Sequence, residues 1–353
     1  MGPPPFWYYP AGTQNAPRDR LTFGVEFEFG LATILEDDGD PDDGDPRAGR
    51  GIDVDNKPDE LWSRSRNHIV NTLRQAGIPA EASLHNYTSK AWKPDNIKAW
   101  GVKEDDTIRC TGTGYRYLAT EVVSPPFYFS IEAIQEVKYV CTLLSNNYRL
   151  VCNNTCALHV HVGNGRKGFN YETAQKLMAT YFTFEPQIEQ IHPPHRVDNY
   201  HCPKLRKSTL MTTKVINKLR TVRQGLARIF KGQEATIEEL HKDTTPEVKG
   251  SYGETRRSAV TIGELLSLDE KKTVEFRQHE MTLDPMRVDH WIRLCVGIIE
   301  FSDTIEKDLL EQFLDTLIDQ PVEDLSLREV LESIGLPREA DFYARRLAQG
   351  MDV

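Results

Sequence analysis

The sequence predicts an α+β fold, with a mostly antiparallel sheet and helices packed on its apolar face. Two observations carry this. First, three well-separated stretches, Phe23–Gly30, Leu158–Gly163 and Thr273–His279, alternate with a period of two, the mark of half-buried strands. Each sets apolar side chains on one face and acids, histidines or an arginine on the other. Second, the segments between them carry apolar stripes at helical spacing. The simplest assembly packs those stripes on the apolar face of the sheet and leaves the other face as a polar, concave site.

Composition sets the class. The chain has 353 residues, 39% hydrophobic and 27% charged, as in an ordinary globular protein. Its net charge of −10 argues against a general affinity for nucleic acid or for an anionic membrane. No apolar run reaches membrane-spanning length, and Met1 to Pro10 does not read as a signal peptide. The six cysteines are scattered, which suits reduced thiols and an intracellular, cytoplasmic protein.

In chain order, residues 1–20 read as a polar, Pro- and Gly-rich extension. In the first strand, Val25, Phe27 and Phe29 face one way, and Glu26 and Glu28 the other, roughly 6–7 Å apart. At an effective dielectric near 20 such a pair repels by about 2–3 kcal/mol. Either the face is solvated, or a cation, a shared proton or water compensates; a divalent ion held by oxygen ligands does so most simply. The acidic stretch Glu36 to Pro46 lacks the closing Glu of a calcium loop and has two prolines, so it reads as a mobile insertion. A helix is expected from Asp59, as cap, to about Gln75, with Leu61, Trp62, Ile69, Val70 and Leu73 inward and Gly77 as its stop.

Trp100–Val102 reads as a short strand leading to Asp106, and Leu118–Ser124 as another, carrying Glu121 and ended by Pro125. Ser130 can cap a helix to about Ser145 with Ile131, Ile134, Val137, Cys141 and Leu144 on one face. After the strand bearing His159 and His161, a helix is expected over residues 171–191. A polar loop through Arg196, Tyr200 and Cys202 follows. Residues 208–230 read as basic and helical. Thr236 and Glu239 have the form of a capping box, and residues 242–257 read as a loop. The third strand carries Glu275, Arg277 and His279. Asp284 and Pro285 then open a long helix, and further helices run to the end.

The polar faces together hold several carboxylates, a histidine pair and an arginine. Carboxylates with histidine suit Mg²⁺ or Mn²⁺. Arginine suits a phosphate or a developing phosphoryl charge. The set points to metal-dependent phosphoryl chemistry on a nucleotide. There is no Gly-x-x-x-x-Gly-Lys-Ser/Thr loop. The turn around Lys167 either contacts phosphates or simply connects two elements. A rival zinc site, Cys152-x-x-x-Cys156-x-x-His159-x-His161, has the ligand types but sets its histidines on a strand.

In motif order, Phe23–Phe29, Trp100 with Asp106, Thr120–Pro125, Leu158–Val162 and Thr273–Arg277 resemble the amidoligases of fungi and bacteria, in the carboxylate–amine ligase group of glutamine synthetase and glutamate–cysteine ligase. Glu185 and the Arg196, Tyr200, Cys202 loop fit the same spacing. One departure is Ala157 where the family has glycine before Leu-His. The resemblance implies a curved sheet forming a funnel for ATP and Mg²⁺ or Mn²⁺, with residues 36–58 and 80–98 as insertions at its mouth. It implies metal ligation by Glu26, Glu28, Asp106, Glu121, His159 and Glu275, with Glu26 and Glu28 opening onto different ions. Catalysis would fall to Arg277, Glu275 and His161, nucleotide contact to Arg277 and Lys167, and substrate binding to Arg196, Tyr200 and Glu185. The catalytic domain would span 21–305, with a helical segment at 306–353 packed on it.

The activity this implies is ATP-dependent joining of a small-molecule or peptide carboxylate to an amine through an acyl phosphate. A metal-dependent hydrolase and a non-catalytic nucleotide-binding protein remain as alternatives. The acidic insertion generates a first prediction. Deleting residues 37–45 is expected to leave the melting temperature nearly unchanged. A large drop would show an ordered loop.

Overall fold

β1, Thr22–Thr33, organises the first part of the chain in the computed structural model. The structure describes residues 21–34, 41, 58–82, 98–111, 114–165, 167–211, 221–230, 236–250, 253–267 and 272–350. The acidic stretch, apart from Pro41, and most of 80–98 lie outside them. Two compact units share the chain: residues 1–159 with 280–289, and residues 160–279 with 290–353.

In the first unit the alternation of β1 is realised as read. Val25, Phe27, Phe29 and Leu31 are all buried. Phe27 stacks on Trp100 with ring centroids 6.2 Å apart, and the Trp100 indole N–H donates to Glu136 at 2.9 Å. Each such aromatic contributes about 1.5–3 kcal/mol by burial. β4, Arg116–Val123, pairs antiparallel with β1, setting Glu28 opposite Glu121. β3, Trp100–Lys103, pairs antiparallel with β4 and sets Lys103 opposite Glu121. β2, Ala80–Ala82, runs parallel to β3. Two short strands, β5 (Phe127–Tyr128) and β6 (Leu150–Val151), pair with the two halves of β1. On another edge of β1 the Glu28 amide donates to the Ala157 carbonyl at 3.1 Å, just before β7, Leu158–Gly163.

Two helices belong to this unit. α1, Pro58–Gln75, opens on its proline, so Asp59, the expected cap, lies inside the first turn. A proline there lacks only an N–H that would find no helical partner. Gly77 ends the helix at φ +84°, with the Ile78 amide reaching back to Leu73, the glycine stop expected. α2, Ile131–Asn147, is capped by Ser130, whose side chain accepts from Ala133 at 3.2 Å. Ile131 is a correction: at 63% exposed it stands in the first turn, off the buried stripe of Ile134, Val137, Cys141 and Leu144.

In the second unit, β11 (Thr273–Phe276) pairs antiparallel with residues 160–163 of β7, setting Glu275 opposite His161. β10, Val260–Thr261, adds an outer antiparallel strand. α3, Tyr171–Glu189, is capped by Asn170 and buried along most of its length. Among the described residues of 208–230, which leave out 212–220, stand a 3₁₀ turn, Thr209–Met211, and α4, Val222–Phe230. α5, Ile237–Thr244, starts with the reciprocal Thr236–Glu239 capping box.

Residues 242–257, read as a loop, hold the end of α5 and a hairpin of β8 (Glu247–Gly250) and β9 (Gly253–Arg256). This ribbon is bound by its ladder and a Glu247–Arg256 ion pair, not by an apolar face. That is why no alternation announced it. α6, Pro285–Thr304, is capped by Asp284, whose carboxylate accepts the Met286 amide at 2.7 Å. α7 (Lys307–Leu317), α8 (Leu327–Ser333) and α9 (Pro337–Ala348) belong to the second unit.

Among the described residues the strand pairs above are antiparallel except β2 with β3, so the mixed, mostly antiparallel class holds. Among the described residues no helix is long and apolar enough to cross a membrane.

Packing on β1 leaves no room at Gly30, where an added Cβ would lie 2.5 Å from the Cys110 Cβ and 2.8 Å from its sulfur. Gly30→Ala is therefore expected to destabilise the chain by about 1–3 kcal/mol in chemical denaturation. An unchanged midpoint would refute this packing.

Candidate active site

Because β1 alternates and its apolar face is fully used, Glu26 and Glu28 must share the other face. They are not a solvated pair. Their side chains are 12% and 7% exposed, and both meet one imidazole. His159 Nδ1 lies 3.3 Å from Glu26 Oε2 and 3.4 Å from Glu28 Oε1. The first half of β7 supplies this histidine, its Leu158 neighbour being buried on the apolar side.

The row of acids continues across the sheet. Glu121, opposite Glu28, is buried, and its Oε2 lies 2.9 Å from Lys103 Nζ. Its Oε1 is buried with no hydrogen-bond donor among the described residues. Burial pushes the Glu121 carboxyl up to about 8; the charge of Glu26 adds to this and Lys103 opposes it. Asp105 pushes the same way and accepts the Thr107 amide at 2.7 Å. Asp106, the expected ligand, is exposed in the loop after β3, so the acid felt by Glu121 is its neighbour. β3 stops at Lys103, and the chain turns before Asp106.

In the second unit, His161 Nε2 lies 3.8 Å from Glu275 Oε1, and its Nδ1 is 3.1 Å from Thr273 Oγ1. Arg277 forms an ion pair with Glu275 and is 20% exposed, so its guanidinium keeps solvent access. β11 ends at Phe276, short of the expected His279, so Arg277 lies just past the strand that carries Glu275.

Arg196 is fully buried. Its guanidinium donates to the carbonyls of Arg277, at 2.6 Å, and Gln278, at 3.2 Å. That placement suits fixing the backbone beneath Arg277 better than holding a substrate. Cys202 donates its thiol to the Arg196 carbonyl at 3.2 Å. Tyr200 is 40% exposed and carries the Arg257 guanidinium 5.1 Å from its ring centre.

Glu185 is buried on α3 and accepts the amides of Leu205, at 2.6 Å, and Arg206, at 3.0 Å. Sequence reading expected a substrate contact; the structure shows a carboxylate binding two backbone amides of the following loop. Lys167 is exposed on a turn whose Gly165 and Gly168 have φ of +56° and +63°.

The rival zinc set comes apart. Cys156 Sγ faces Cys110 Sγ at 3.7 Å and Asn153 at 3.7 Å, while His159 turns to carboxylates. Burial pushes both thiols up, as expected of neutral sulfhydryls.

Two carboxylates and an imidazole converging in a buried place match a divalent metal of the Mg²⁺ or Mn²⁺ type. The orphaned oxygen of Glu121 also fits a site completed by a cation. Lys103 and Asp105 escaped the sequence reading. Only the register of β3 on β4 brings Lys103 to Glu121, and no local pattern encodes it.

A family model described as "Putative amidoligase enzyme" matches residues 19–299. No curated protein matches the sequence. Among solved structures, the chain is similar to a Plasmodium falciparum glutamine synthetase at 11% identity and TM-score 0.38, covering 86% of this chain and 53% of that one. It is similar to a bifunctional glutathione synthetase from Pasteurella multocida at 11% identity and TM-score 0.38, covering 95% of this chain and 47% of that one. The chain thus spans about half the length of these structures.

Glu185 gives a pH test free of the metal. Burial raises its carboxyl from 4.5 to about 7, the two amides opposing and Glu189 adding. A carboxyl raised by folding stabilises fully below its unfolded value and loses that contribution as pH rises through its folded value. Wild-type stability should therefore fall between pH 4.5 and 7 relative to Glu185→Gln. The difference should be on the order of 3 kcal/mol. Parallel profiles in pH-dependent denaturation would contradict the shift.

Proposed function

The chain belongs to the amidoligase family, and from that premise we propose that it is an ATP-dependent carboxylate–amine ligase with a glutamine-synthetase-like arrangement of its strands. The observation that carries the reading is the convergence of Glu26 and Glu28 on His159 in a buried place. In this reading Glu26, Glu28 and His159 hold Mg²⁺ or Mn²⁺. Bound there, the ion would neutralise charge on phosphate oxygens.

The substrate carboxylate attacks the γ-phosphorus of ATP. An acyl phosphate forms and ADP leaves. An amine then attacks the acyl carbon, and phosphate departs with the C–O electron pair as the amide forms. Arg277 offers its planar guanidinium to the phosphoryl group in transfer, and Glu275 holds that guanidinium in place. His161, two residues along β7 from His159, makes a polar contact with substrate or phosphate. Lys167 reaches from its exposed turn toward the nucleotide. Tyr200, exposed on the loop that Arg196 and Glu185 pin, meets the substrate. The reaction belongs in the cytoplasm, a reducing compartment that suits six free thiols.

The test incubates the protein with ATP, Mg²⁺ and pooled carboxylates and amines, then seeks condensed products by mass spectrometry. One ADP and one phosphate are expected per amide. Arg277→Lys should slow turnover by about a hundredfold, since charge remains but the fork is lost. Its ATP affinity should change far less. Near-full turnover of the variant at saturating substrate would remove Arg277 from this role. Metal-dependent hydrolysis with no need for ATP would replace the ligase with a hydrolase.

A further inference from the structure

We infer that Lys103 stands in for a second divalent cation, so that the acidic row of the first unit takes one metal ion rather than two. This deepens the reading above and rests on its metal site. The row consists of Glu26 and Glu28 on β1 and Glu121 on β4, with Glu28 and Glu121 directly opposite in register. His159 touches Glu26 and Glu28. Lys103, opposite Glu121 on β3, holds that carboxylate at 2.9 Å.

Lys103 already holds Glu121, so Glu26 and Glu28 are the two carboxylates of the row left for a cation, and one divalent ion matches their charge. Glu121 and Lys103 are 2% and 8% exposed, so water screens neither well. Asp105 adds charge nearby but is half-buried and already accepts the Thr107 amide, so solvent screens it more.

An ammonium differs from a metal ion in two ways. It stays with the chain at any metal concentration, and it cannot accept a phosphate oxygen as an inner ligand. Lys103 therefore compensates Glu121 permanently and leaves the one exchangeable ion beside His159. Without Lys103, Glu28 and Glu121 would face each other with both Glu121 oxygens unpaired, a pair of acids that a second ion would bridge.

The experiment titrates the full-length chain with Mn²⁺ alone and follows the free-ion electron paramagnetic resonance signal. The double variant Glu26→Gln, Glu28→Gln serves as the blank for ions bound elsewhere. Wild type should bind one ion above the blank, Lys103→Met two, and Lys103→Arg, which keeps the charge, one. Two ions in wild type would overturn this inference while leaving the ligase reading intact. One ion in Lys103→Met would overturn it as well. No ion above the blank in wild type would sink the inference and the metal assignment of the proposed function together. Should Lys103→Met fail to fold, the wild-type count still decides between one ion and two.

Discussion

Like charges held close inside a protein need a counter-charge, and in the first unit that need falls on Glu26, Glu28 and Glu121. The apolar face of β1 creates the need. Phe27 and Phe29 must point into the core, so their neighbours in sequence must point away from it. A slip of one residue would bury the acids among aromatics and expose the phenylalanines. Core packing therefore holds the carboxylates together against their repulsion. Lys103 answers part of the charge with its ammonium, and the His159 imidazole meets Glu26 and Glu28. Removing one partner of a buried pair such as Lys103–Glu121 typically costs about 3–5 kcal/mol, because the survivor stays buried and charged.

The second unit meets a different demand. Arg277 is held there with its guanidinium still open to solvent. Glu275, two residues back on β11, takes one side of the guanidinium. The backbone beneath is fixed by Arg196, a fully buried cation whose donors go to main-chain carbonyls. Glu185 does the complementary work, accepting two main-chain amides from the loop after Cys202. Both residues spend their charge on backbone groups that would otherwise lie buried and unpaired.

Local signals were read well where the physics is local. Ser130, Thr236 and the Asp284–Pro285 pair all cap the helices they announce, because a cap bonds amides two or three residues on. Gly77 stops α1 because the turn there requires a positive φ. Ile131 misled because helical spacing says nothing about where the core ends along the helix axis. The hairpin at residues 247–256 was missed because its ladder is a pairing between strands, with no apolar face to leave a trace in sequence. Asp105 and Asp106 are chemically alike, and only the turn after β3 tells which of them faces Glu121.

By itself the sequence determined the strands that bear the site and the side chains that share each strand face. A strand alternates with a fixed period of two, so face follows from position alone. It also determined the family, since the motifs stand in order along one chain. Only the tertiary structure decided who stands across from whom. Register between β1, β4 and β3 is set by packing across the sheet, and it brings Lys103 to Glu121, 18 positions on, and Glu121 to Glu28, 93 positions back. The tertiary structure also showed that Arg196 and Glu185, expected as substrate contacts, bond backbone groups. Burial decides what a charged group must bond to, and burial is a property of the folded chain, not of a residue's neighbours in sequence.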